Sequence, residues 1–170
     1  MWLRRTLPWA LPVVLVLVLA GCESTPPYVY RYVPGKTAVV AGDLAVAPPL
    51  APAAVHQAVA AGNEIVGRPY RYGGGHRSFH DDGYDCSGAV SYVLYAIGRL
   101  SAPAPSDAFR RYGEGGAGRW ITVYARRGHV FLVVAGLRFD TGYGTGASGA
   151  RWLTRSRPAD HYVMRHPRGL

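Results

Sequence analysis

The tetrapeptide Asp85-Cys86-Ser87-Gly88 fixes where one helix of this chain must begin, and it puts a thiol at that beginning. Just upstream, Gly73-Gly74-Gly75 suits a tight turn and close backbone approach. Downstream, Val90, Val93, Leu94 and Ile97 recur at i, i+3, i+4 and i+7, and Gly98 follows. Asp85 is of a residue type favoured at an N-cap. The spacing therefore predicts a helix from Cys86 to about Ile97. The unpaired N–H groups and the dipole of its first turn favour an anion at Cys86. A thiol held there ionises more readily, and the thiolate is the nucleophile. The competing reading is a small, buried and inert core cysteine. The rest of the chain decides between the two.

Residues 1–21 read as a secretory signal. Arg4 and Arg5 form a short basic region, and Leu11 to Leu19 supply an apolar run too short to span a bilayer by itself. Leu19-Ala20-Gly21-Cys22 matches a lipoprotein cleavage box, in which Cys22 is diacylated and becomes the mature N-terminus. The chain has two cysteines, so Cys86 is then a lone thiol in an exported protein. Glu23 after the lipidated residue lacks a common inner-membrane retention signal. The expected location is the cell envelope, on the outer membrane where there is one.

Residues 22–50 contain Pro26, Pro27, Pro34, Pro48 and Pro49 and show no sustained period. They read as a proline-rich tether, which at ~3.1 Å per residue reaches at most roughly 90 Å. The alternation Tyr28-x-Tyr30-x-Tyr32 leaves open a strand docked on the domain instead. Residues 51–170 then form one folded domain. Ala51 to Val66 is a first helix, with Val55, Val59, Gly62 and Val66 on one stripe. A short helix runs from Ser106 to Tyr112. Strands follow at Trp120–Tyr124, His129–Val134, Leu137–Thr141 and Tyr162–Arg165. The fold class is α+β, helices first and an antiparallel sheet second.

Ala135-Gly136 is the expected hairpin turn between the second and third of these strands. A two-residue turn sets Val134 opposite Leu137 and Phe131 opposite Asp140. His129 and Asp140 become diagonal neighbours on one face, within reach of each other. A carboxylate there would fix the imidazole tautomer and stabilise the imidazolium. Alone, His129 reads as a surface histidine and Asp140 as a turn residue. Combined with Cys86 in an exported domain, they read as nucleophile, base and orienting acid.

Tyr70-Arg71-Tyr72-Gly73-Gly74, then Asp85-Cys86-Ser87-Gly88, then Gly128-His129-Val130 followed by a hairpin, resembles the NlpC family of cell-wall cysteine endopeptidases. The resemblance covers roughly Val55 to Arg165. It implies a papain-like α+β fold, with the nucleophile at a helix N-terminus packed on an antiparallel sheet. It implies hydrolysis of an amide bond in peptidoglycan stem peptides or cross-links. Cys86 matches the family's nucleophile and His129 its base. Tyr70 matches a tyrosine whose hydroxyl lines the active site near the oxyanion. Asp140 falls where the family has a third polar residue, commonly histidine, one position earlier than in longer hairpins. The segment His76 to Tyr84 is longer than is usual there.

His76, His80, Asp81 and Asp82 are metal-ligand types, but their spacing matches no standard closed site, and neither metal nor cofactor is expected. Arg77 could pair with a stem-peptide carboxylate, which arginine grips with two donors, and Ser87 is a second candidate substrate contact. The formal charge is +9, and all of the 19 basic residues except Lys36 are arginine. They are scattered, which points to an anionic wall or membrane surface and not to nucleic acid. The expected partners are stem peptides and, through the lipid anchor, a membrane, with the protein working as a monomer. Two alternatives stand beside the hydrolase: a non-catalytic wall-binding lipoprotein scaffold, and an amidase or acyl transferase on the same fold.

Overall fold

The computed structural model describes residues 24–142 and 149–170. Residues 1–23, with the signal segment and Cys22, lie outside the described residues. Two helices, α1 (Ala53–Ile65) and α2 (Cys86–Ala96), pack together. A two-stranded ribbon, β1 (Val39–Ala41) and β2 (Leu44–Val46), precedes them. A 3-10 turn at Ala108–Arg111 leads into a six-stranded antiparallel sheet. Its strands are β3 (Glu114–Gly115), β4 (Ile121–Arg126), β5 (His129–Val134), β6 (Leu137–Asp140), β7 (Arg151–Leu153) and β8 (Val163–His166), in the spatial order β3-β8-β4-β5-β6-β7. The chain is thus α+β among the described residues.

The pleat sorts side chains to the two sheet faces with a period of two. Ile121, Val123, Val130, Leu132, Val134, Leu137 and Phe139 join Val55, Val59, Val90, Val93 and Leu94 of the helices in the main core. Tyr124 and Phe131 point to the other face, where Tyr28, Ala159 and Tyr162 cover them. Close packing is tightest where glycines stand. An added Cβ on Gly88 of α2 would lie 2.0 Å from the carbonyl oxygen of Gly74, so the glycine turn rests directly on the catalytic-helix candidate.

The β5–β6 hairpin has the expected register: Val134 pairs with Leu137, Val133 with Arg138 and Leu132 with Phe139. Ala135 and Gly136 have φ of 45° and 77°. Two successive positive φ values make a primed turn, whose twist matches that of the strands.

The reading of 22–50 as a tether is corrected for its described part. Tyr28 is buried and exchanges backbone hydrogen bonds with Arg157, 2.9 Å each way. Its hydroxyl donates to the carbonyl of Gly136 at 3.1 Å and accepts from the amide of Arg138 at 3.1 Å. Tyr30 donates to the carbonyl of Ala38, and Thr25 to that of Tyr162. The prolines do exclude a helix, but Tyr28 and, in part, Tyr30 bury apolar area on the domain while Tyr32 stays exposed. The stretch around Tyr28 therefore lies as a strap over the second sheet face, while Ala38 and Ala45 further on join the main core.

Candidate active site

Cys86 is the first residue of α2, and Asp85 caps it. Asp85 has extended backbone, and its Oδ1 accepts the amide of Gly88 at 2.8 Å. The same carboxylate accepts the Ser87 hydroxyl at 3.0 Å and, through Oδ2, the amide of Gly73 at 3.0 Å. The cap thus ties the glycine turn to the start of the helix and aims Cys86 into a cleft. Tyr70, Tyr72, His76, Pro105 and Gly128 line that cleft with Cys86.

His129 opens β5 and Asp140 closes β6. His129 Nε2–H donates to Asp140 Oδ1 at 2.9 Å. The Cys86 sulfur acts on the same ring as a second group that favours its charge. His129 thus stands between Asp140, which bonds its ring, and Cys86, which acts on its charge. Burial opposes charge on His129, but the hydrogen bonds to Asp140 and Cys86 outweigh it and raise the imidazole from 6.5 to about 8. Burial likewise opposes ionisation of Asp140. The bond from His129 and the guanidinium groups of Arg157 and Arg138 reverse that and hold its pKa below the ordinary value. Arg157 Nη1 donates to Asp140 Oδ2 at 2.7 Å, and Arg138 Nε lies 3.7 Å from the same oxygen. The amide of Thr141 adds a bond to Oδ1 at 2.8 Å.

Tyr70 is partly exposed at the cleft, in an isolated parallel bridge with Tyr84. Burial raises its phenol pKa, and the negative charges of Cys86 and Asp85 add to the effect. Ser87 lines the same cleft; it is buried, and its hydroxyl donates to Asp85. Arg77 is exposed and lies outside the residues that line the cleft with Cys86.

Sequence reasoning missed what His76 does. Its Nε2 lies 3.1 Å from both Asp85 Oδ1 and Ser87 Oγ, and it joins the cleft wall. The signal lay in the long 76–84 segment, where the histidines suggested a metal. Among the described residues no group of three or more His, Cys, Asp or Glu side chains is placed to hold a metal ion. Arg157 was missed as well, because arginine is a surface residue by composition and only tertiary contacts bury it.

A comparison with models of known protein families found no match, and neither the curated proteins nor the solved structures yielded one.

Proposed function

We propose that this chain is an exported, lipid-anchored cysteine peptidase of papain-like, NlpC type that hydrolyses an amide bond in peptidoglycan stem peptides or cross-links. One observation carries the chemistry: His129 is hydrogen-bonded to Asp140 and acts on Cys86, the first residue of a helix that opens on a cleft. A histidine raised to about 8 beside a thiol favours the thiolate–imidazolium pair at neutral pH. A binding scaffold has no use for that arrangement. The motif resemblance supports the substrate class, and residues 1–22 support the location.

The Cys86 thiolate adds to the amide carbonyl carbon, and a tetrahedral oxyanion forms. The N-terminal amides of α2, joined by the Tyr70 hydroxyl, stabilise that charge. The C–N bond breaks as His129 gives its proton to the leaving nitrogen. A water then loses a proton to His129 and attacks the thioester, releasing the carboxylate and the Cys86 thiolate. Asp140 keeps the ring oriented throughout. Purified cell wall incubated with wild type and with Cys86→Ser tests this. Wild type should release soluble peptide fragments and the serine variant should not, since serine's hydroxyl does not ionise in this pairing. Equal release by the two would reject the mechanism.

A further inference from the structure

We propose that Arg157 is a positioning residue of this site, holding Asp140 against His129, and that the N-terminal strap holds Arg157 in place. The proposal rests on the cysteine-nucleophile reading above. Arg157 touches none of the reacting atoms and is buried. Its two terminal nitrogens are both committed: Nη1 to Asp140 Oδ2 at 2.7 Å and Nη2 to the Tyr162 hydroxyl at 2.9 Å. His129 takes the other carboxylate oxygen. The carboxylate is thus gripped from both ends and cannot turn away from the imidazole.

The guanidinium is itself immobilised. It lies 5.0 Å from the Phe131 ring centroid and 5.8 Å from that of Tyr162, stacked into the second sheet face. Its backbone pairs with Tyr28 of the strap in both directions. A charge buried this far is costly unless paired, so the pair with Asp140 is what makes the position tenable. The other charged and titratable groups facing Asp140 are His129 from β5, Arg138 from its own strand, and Arg151 opposite it across β6–β7, whose Nε donates to the Gly149 carbonyl at 3.2 Å. Tyr162 reaches it through Arg157, and Cys86 through His129.

The test is Arg157→Met, which keeps the stem and removes the charge, with Arg157→Gln and Arg157→Lys alongside. Two readouts are taken on the full mature chain: the rate of Cys86 alkylation by iodoacetamide against pH, and kcat and KM on purified cell wall. With one cation gone, Asp140 takes up a proton at higher pH and the imidazolium loses its partner. The acid limb of alkylation should then move up by about one pH unit in Arg157→Met and Arg157→Gln. Turnover should fall at least about tenfold with KM little changed. Arg157→Lys should recover at least half of the limb shift. A folded methionine or glutamine variant with the wild-type limb overturns the proposal. So does a folded lysine variant as shifted as the methionine one. Should both uncharged variants fail to fold, the lysine variant decides: reduced turnover at unchanged KM supports the role, and wild-type turnover overturns it. Alkylation needs no wall substrate, so a shifted limb without wall hydrolysis would keep Arg157's role and reject the peptidoglycan reading.

Discussion

Asp140→Asn removes the charge that orients and sustains the His129 imidazolium while keeping an oxygen in nearly the same place. His129 is raised from 6.5 to about 8, which corresponds to about 2 kcal/mol of preference for the charged ring. Burial opposes the charge and stays behind in the variant, while the bond to Asp140 is the largest of the effects that raise it, ahead of the Cys86 sulfur. The equilibrium between thiol–imidazole and thiolate–imidazolium should therefore fall by up to about thirtyfold. The substitution also leaves Arg157 and Arg138 facing a neutral amide, and breaking a buried charge pair costs about 3–5 kcal/mol. The assay is Cys86 alkylation from acid to alkaline pH on variants shown to be folded by thermal melting. Asp140→Asn should alkylate more slowly than wild type across the acid and neutral range and melt earlier. A folded variant with an unchanged profile would refute the role given to Asp140, while leaving Cys86 and His129 as a pair.

The same groups set a stability profile. His129 has a raised pKa, so its contribution is fully present below 6.5 and is lost as pH rises through about 8. Asp140 has a lowered pKa, so its contribution is present above 3.8 and is lost as pH falls through its depressed value. Melting temperature should therefore be highest between these limits, with a decline on the alkaline side near 8 that Asp140→Asn abolishes. Gly88→Ala should disrupt both stability and alkylation, because the new Cβ meets the Gly74 carbonyl oxygen at 2.0 Å and backbone cannot give way as a flexible side chain can; overpacking of this kind costs about 1–3 kcal/mol or more by denaturant titration. Cys22→Ala should release the protein from membranes, and persistence there after a high-salt wash would contradict the lipid anchor.

The parts of the fold read from sequence are those with a clear period or an unambiguous turn. The α2 stripe and its cap at Asp85 were legible because cap, apolar spacing and Gly98 agree. The His129–Asp140 geometry was legible because the Ala135-Gly136 turn fixes the register, and a one-residue slip would have sent Asp140 to the other face. Strand β7 was missed because three residues, Arg151 to Leu153, are too few to display a period, although Trp152 is buried against α1 at Gly62. The β1–β2 ribbon was missed, and the docking of the tyrosine segment stayed an alternative to a free tether, for a different reason. Proline content there signals the absence of helix and says nothing about whether the flanking tyrosines find an apolar face. The role of His76 depends on a loop folding back onto the cap, and that of Arg157 on a buried ion pair. Both are long-range contacts without a local signature.

The central claim is that Cys86 attacks an amide of the cell wall, and the fragments themselves report on it most directly. Purified peptidoglycan is digested with the wild-type chain and with Cys86→Ser, and the soluble muropeptides are analysed by mass spectrometry. The account predicts new species in the wild-type digest whose masses correspond to hydrolysis of one stem-peptide or cross-link amide, with the glycan intact. It also predicts their absence from the Cys86→Ser digest. No new species from a wild-type chain whose Cys86 alkylates rapidly at neutral pH, or the same species from both chains, would contradict it.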